Sequence, residues 1–282
     1  MSSMLRVVRT TAELHDVVRH WQGAGETHAL IPTMGALHDG HLELVRLGRQ
    51  QAKRTVASIF VNPAQFAANE DLSRYPRDEA GDLAKLASAG CDLVWAPEPT
   101  EMYPAGFATR IVPAGAALGL EGDFRPDFFS GVVTVCCKLF NQVLPTVAIF
   151  GEKDYQQLCV VKQMVRDLNL PVAILGAPTI READGLAMST RNRYLSPEER
   201  AVAPTLYKMI EGVARAGRAG GDIEGETSEA IRVLTWTGFK VDYVAVCDAE
   251  TLARPDSRRR SPLRVLVAAR LGNTRLIDNV AV

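Results

Sequence analysis

Two histidines three positions apart, His38 and His41, close the segment Pro32-Thr33-Met34-Gly35-Ala36-Leu37-His38-Asp39-Gly40-His41, where an apolar run gives way to a helical pattern. All five histidines of the chain fall at or before His41. On the first turn of a helix, H-x-G-H spacing places both imidazoles beside the same unpaired backbone N–H groups. Helix N-termini favour anions, and glycine lets a phosphate approach the backbone closely. These residue types therefore describe a surface that binds phosphate and stabilises its charge. Capping and packing of the turn is the plainer alternative. Zinc is a weaker one, because no later histidine completes a typical ligand set. The usual nucleotide loops are missing: there is no Gly-Lys pair, hence no P-loop, and no G-x-G-x-x-G.

A second candidate is Gly151-Glu152-Lys153-Asp154, which ends the apolar run TVAIFG and opens a helix. Gly151 permits close approach of a ligand, Lys153 supplies positive charge, and Asp154 reaches a hydroxyl or caps the helix. A cap with a solvated lysine is the bland alternative. In SIFVNPAQF, Asn62 and Gln65 follow a strand end, where side chains project into a ligand crevice. Read alone, Gln65 and Gln157 are surface residues.

The elements that must position these groups alternate. HALIPTM, KRTVASIFV, CDLVWA, TVAIFG and PVAILG read as strands. Between them lie helical patterns at HLELVRLGRQQA, at 78–89, at 131–144 and at YQQLCVVKQMVRDL. Such alternation implies βαβ units, a parallel sheet with helices on both faces, and ligands beyond the carboxyl ends of its strands. After Arg181 the texture changes. SPEERAVAPTLYKMIEGVARAG reads as a helix capped by Ser196 with Pro197 at its first position, and a second helix follows the break at 219–222. The tail KVDYVAVCD, PLRVLVAAR and TRLIDNVAV reads as three strands without intervening helices. Two domains are expected, 1–179 and a smaller α+β unit over 180–282. The stretch from Ala253 to Pro262, with its arginine run, reads as a solvated loop.

A chain of 282 residues supplies two modest cores. Its formal net charge of −1 gives no global attraction for nucleic acid or an anionic membrane, so a polyanionic ligand must be held by local donors. Five cysteines without a C-x-x-C pair (Cys91, Cys136, Cys137, Cys159, Cys247) suit reduced core thiols and a cytoplasmic location better than a disulfide framework or structural zinc. MSSMLRVVRTTAEL has no apolar core of a signal peptide, and no apolar run is long enough to span a bilayer.

H-x-G-H after the first strand resembles the signature of nucleotidyltransferases related to class I aminoacyl-tRNA synthetases. The resemblance narrows: PTMGALHDGH, SIFVNPAQF, YPR, GEKDYQQL and READGLAMSTRNRYL stand in the order and spacing of the pantothenate synthetases (pantoate–β-alanine ligases), and RLGNTRLIDN resembles that family's tail. These segments run from residue 32 to 279. The resemblance implies a Rossmann-like sheet domain followed by a C-terminal lid. It implies a homodimer using ATP, Mg²⁺, pantoate and β-alanine through an acyl adenylate, with AMP and pyrophosphate released.

Residue by residue, the resemblance implies that Met34, Gly35, Ala36, Leu37, His38, Asp39, Gly40 and His41 line the ATP site, His38 and His41 donating to phosphate oxygens. It implies nucleotide contacts from Gly151, Glu152, Lys153 and Asp154, from the backbone of Ile180 at adenine, and from Met188, Ser189, Thr190 and Arg191 on a phosphate-gripping loop. His38, His41, Lys153 and Arg191 are the implied catalytic set. Gln65 and Gln157, with Asn62, are the implied pantoate contacts, and Asp78, Glu79 and Asp82 fall where the family places metal-binding acids. Two departures stand out. Thr190 replaces a serine, keeping the hydroxyl. Phe128, in Arg125-Pro126-Asp127-Phe128-Phe129, replaces a histidine and removes one polar contact. Two other readings are a related enzyme moving AMP or CMP onto another acceptor, and a nucleotide-binding descendant without activity.

Overall fold

The computed structural model describes residues 5–67, 70–255 and 261–282. The arginine run at 258–260 therefore lies outside the described residues. The chain forms two compact units. One comprises the residues through Glu152 together with Val160–Pro178; the other comprises Lys153–Cys159 and Thr179–Val282.

The first unit opens with β1 (Arg6–Val8), α1 (Thr11–Gly23), β2 (His28–Thr33), α2 (Asp39–Gln51) and β3 (Arg54–Ile59). It continues through α3 (Glu79–Ala89), β4 (Leu93–Trp95), the short α4 (Pro99–Met102) and α5 (Glu121–Phe124), and α6 (Phe128–Val143). β5 (Val147–Gly151), α7 (Tyr155–Asp167) and β6 (Ala173–Ala177) complete the sheet. All six strands are parallel, in the order β1-β4-β3-β2-β5-β6. Ala29, Leu30 and Ile31 on β2 are fully buried, as expected for a strand covered on both faces. Because β3 lies on one side of β2 and β5 on the other, the strand order reverses at β2. The carboxyl ends of β2 and β5 thus bound the crevice where such sheets take ligands.

β1 and α1 are not evident from the strand and helix runs of the sequence. Three residues are too few to show alternation, but Thr10 and Glu13 form a capping box that marks the start of α1.

The second unit holds α8 (Pro197–Val202), α9 (Thr205–Arg218), α10 (Ile223–Trp236) and the antiparallel strands β7 (Phe239–Asp248), β8 (Leu263–Leu271) and β9 (Thr274–Ala281), in that order across the sheet. Leu206, Ile210 and Val213 of α9 and Leu234 of α10 pack on Val265, Val267 and Leu271. The single helix expected from Pro197 onward is two. Pro204 lacks an N–H, so the α8 ladder stops at Val202 and α9 starts afresh at Thr205. Among the described residues no helix is long and apolar enough to cross a membrane.

Candidate active site

The loop between β2 and α2 is held in a shape that an unsupported chain does not favour. Gly35 and Ala36 both have positive φ, 79° and 50°, and for alanine that conformation costs about 1 kcal/mol or more. Asp82 of α3 supplies the compensation. Its carboxylate is only 1% exposed and accepts from the Ala36 and Leu37 amides, both at 2.7 Å. Lys85, one turn on, donates to the Leu37 carbonyl at 2.8 Å. A Cβ on Gly35 would stand 3.0 Å from the Asp82 carboxylate and 3.2 Å from Ile59, so the loop has little room for another residue there.

This clamp delivers His38 as the residue that caps α2. The His38 amide donates to Nδ1 of His41 at 3.3 Å, and the two rings lie 4.1 Å apart. An accepting Nδ1 fixes the tautomer of neutral His41 with its proton on Nε2. Together with the positive end of α2, the turn is built to receive negatively charged oxygens.

The acids expected to bind metal do not fit that role. Both oxygens of Asp82 are taken by backbone amides in the interior. Asp78 caps α3, accepting from the Gly81 amide at 3.1 Å, and Glu79 is ion-paired with Arg9. Among the described residues no group of three or more His, Cys, Asp or Glu side chains is arranged to hold a metal ion. Acids at i, i+1 and i+4 of a helix start are the same letters whether they cap, pair or ligate.

Beyond β3, Asn62 is buried and its amide is fully used within the protein. Its oxygen accepts from the Ala64 amide at 3.2 Å and the Tyr103 hydroxyl at 2.8 Å. Its nitrogen donates to Gln65 Oε1 and to the Gly131 carbonyl, both at 3.1 Å. Asn62 is therefore placed to orient Gln65 rather than to meet a ligand itself. Burial pushes the Tyr103 phenol up to about 12, which keeps it a donor. Gln65 in turn directs its amide nitrogen to Met34 Sδ at 3.0 Å, joining this turn to the H-x-G-H loop. Gly131 lets α6 come this close: a Cβ there would lie 2.2 Å from the Ala64 carbonyl oxygen.

Phe128, the position of the missing histidine, packs its ring 3.6 Å from the Arg125 guanidinium. That guanidinium pairs with both oxygens of Glu70 at 2.6 and 2.7 Å and reaches the Gln65 carbonyl at 3.3 Å. An aromatic ring thus covers the arginine that holds the Gln65 turn. Tyr103, Glu70 and the clamp role of Asp82 escaped the sequence reading. The nearby Y-P-R and R-P segments are local signals, and nothing in their spacing names these partners.

In the second unit, Lys153 and Asp154 sit on a single 3₁₀ turn leading into α7, with 3.8 Å between their charged groups. Gln157 lies half-buried on the first turn of α7. The segment after Thr179 is a tight hairpin: Met188 N–H donates to the Ile180 carbonyl at 2.9 Å, Glu182 N–H to Leu186 at 2.8 Å, and Arg181 bridges Ala187. Ser189 then caps a 3₁₀ turn over Thr190–Tyr194, accepting from the Arg191 amide at 3.3 Å. Thr190 is buried and Arg191 half-buried. Asn192 ties the turn back to Glu182 and to the Ala187 carbonyl, each at 3.1 Å. Hydroxyls, a guanidinium and a lysine thus stand on short, braced turns of this unit.

The family model for pantoate-beta-alanine ligase matches residues 6–281. A pantothenate synthetase of Rhodopseudomonas palustris (strain BisA53) is 54% identical over 283 residues, covering 100% of both chains. The crystal structure of pantothenate synthetase from Thermus thermophilus superposes with a TM-score of 0.91 at 47% identity, covering 98% of each chain. That of the pantoate-beta-alanine ligase from Francisella tularensis, complexed with beta-gamma ATP and beta-alanine, gives 0.83 at 31% identity over 98% of this chain and 97% of the other. With similarity of this extent in both sequence and fold, the chain belongs to the pantoate–β-alanine ligase family.

Proposed function

We infer that this chain joins pantoate to β-alanine at the expense of ATP, releasing AMP and pyrophosphate. The family match over residues 6–281 carries this reading. It does not favour transfer of AMP or CMP to another acceptor. In the first step a pantoate carboxylate oxygen bonds to the α-phosphorus as the bond to pyrophosphate breaks. In the second, the β-alanine amine attacks the acyl carbon of the adenylate, AMP leaves and the amine loses a proton.

Both steps require charge on phosphate to be met by fixed donors and water to be kept out. We assign phosphate contacts to His38, His41 and the N-terminus of α2 in the first unit. In the second unit Lys153, Ser189, Thr190 and Arg191 take that role, with Asp154 at ribose and the Ile180 backbone at adenine. Gln65 and Gln157 bind pantoate. Their neutral amides suit a hydroxylated acid and penalise analogues that leave them unpaired. Mg²⁺ enters with the nucleotide, on its phosphates, and no protein site is assigned to it. We also propose a cytoplasmic homodimer. Five free cysteines agree with the location, and exposed Val112, Leu118 and Phe124 of the first unit offer apolar surface to a second copy.

The test is pantoate-dependent exchange of labelled pyrophosphate into ATP. Folded protein supplied with Mg²⁺ that shows no exchange would refute the adenylate route.

A further inference from the structure

The closing segment RLGNTRLIDN places Asp278 and Asn279 side by side on β9, and successive residues of a strand face opposite ways. Asp278 lies on the core side, with Leu276 and Val280 of the buried cluster as its same-face neighbours. Its carboxylate grips Arg181 with both oxygens, at 2.6 and 2.9 Å. The same guanidinium donates to the Gly185 and Asn279 carbonyls and stacks 3.8 Å from the ring of Tyr207. Arg181 is one leg of the hairpin whose other leg runs through Ala187 and Met188 into Ser189-Thr190-Arg191. On the other face, Asn279 donates to the Lys153 carbonyl at 2.9 Å. Its own oxygen accepts from Arg264 Nε at 2.7 Å, which fixes which way the amide points. Arg264 in turn lies 3.9 Å from the ring of Tyr155, two residues beyond Lys153. A link joins the two faces: the Asn279 backbone N–H donates to the Asp278 carboxylate at 2.7 Å.

A carboxylate on a core face is a poor stabilising device, since buried ion pairs are often no better than apolar residues of similar size. What it supplies is geometry. We propose that Asp278 and Asn279 are positioning residues for adenylation. Through the Arg181 hairpin and the Lys153 carbonyl they hold the phosphate groups at Arg191 and Lys153 in one frame within the second unit. This inference rests on the adenylation reading above.

The two half-reactions separate a positioning role from a structural one. Pyrophosphate exchange needs the triphosphate gripped; amide formation from supplied pantoyl adenylate and β-alanine does not. For Asp278→Asn, exchange falls about 10-fold or more with a raised KM for ATP, while amide formation from the adenylate stays within about threefold. Asn279→Ser, which leaves the Arg181 ion pair in place, shows the same split and carries the test where Asp278→Asn does not fold. Equal loss of both half-reactions, or loss of neither, overturns the proposal. Absence of exchange in the unaltered protein would instead remove the adenylation reading itself.

Discussion

Replacing Asp82 by asparagine tests whether the H-x-G-H loop is shaped by a buried carboxylate. Asp82→Asn keeps the volume but leaves one acceptor oxygen for two amides that now lie at 2.7 Å from the carboxylate. The new NH₂ faces a backbone N–H. Losing one hydrogen bond to a charged acceptor costs about 1.5–3 kcal/mol. The positive φ of Ala36, 50°, then has less to offset it. If that energy is spent on re-forming the loop before ATP is turned over, kcat/KM for ATP falls about 10- to 100-fold. The assay is initial-rate AMP release across ATP concentrations, with melting temperature measured in parallel. Asp78→Ala is the control: it removes a helix cap, costing about 1 kcal/mol of stability, and leaves kcat/KM close to that of the parent protein. Raising Mg²⁺ restores nothing in Asp82→Asn, because the lost partners are amides. Full activity in Asp82→Asn would refute the clamp, and recovery with added Mg²⁺ would return Asp82 to the metal.

Phe128→His changes kcat by no more than about threefold, because the ring it replaces is engaged by Arg125; an order-of-magnitude gain in turnover would show the position to be limiting. Asp248 accepts from the Ser261 hydroxyl and from the Thr251 and Glu250 amides, which hold its carboxyl down at about 2 against the ordinary 3.8. Because the folded value is the lower one, its stabilisation is present above about pH 4 and is lost as pH falls towards 2. Asp248→Asn therefore melts below the parent protein near neutrality, and the gap closes in acid; a gap independent of pH counts against the assignment.

The sequence makes the order of the elements legible wherever an element is long enough to show its period. The five strands from His28 to Ala177 and the three of the tail emerge where their apolar runs stand. β1 does not, because three residues carry no period and its partner β4 is far along the chain. Pro204 was visible in the letters, but apolar spacing ran on through it and concealed the break between α8 and α9. At the site, H-x-G-H and G-E-K-D are local signals and could be read. The partners of Asp82 lie 45 and 46 residues away, and Tyr103 reaches Asn62 across 41. Only tertiary structure brings such pairs together, so the Asp82 contacts with the Ala36 and Leu37 amides could not be read from the helix start on which it lies.

The saturation of Asn62 has a consequence for how the two substrates are told apart. The Asn62 contact sets the orientation of the Gln65 amide, whose NH₂ turns to Met34 Sδ and has a second N–H to offer a ligand oxygen. A carboxylate or hydroxyl oxygen is welcome there, whereas an ammonium would set donor against donor and lose its hydration without return. If Gln65 meets pantoate as proposed above, the polarity of this one amide, fixed by its neighbour, favours the acid's oxygens over the ammonium end of β-alanine.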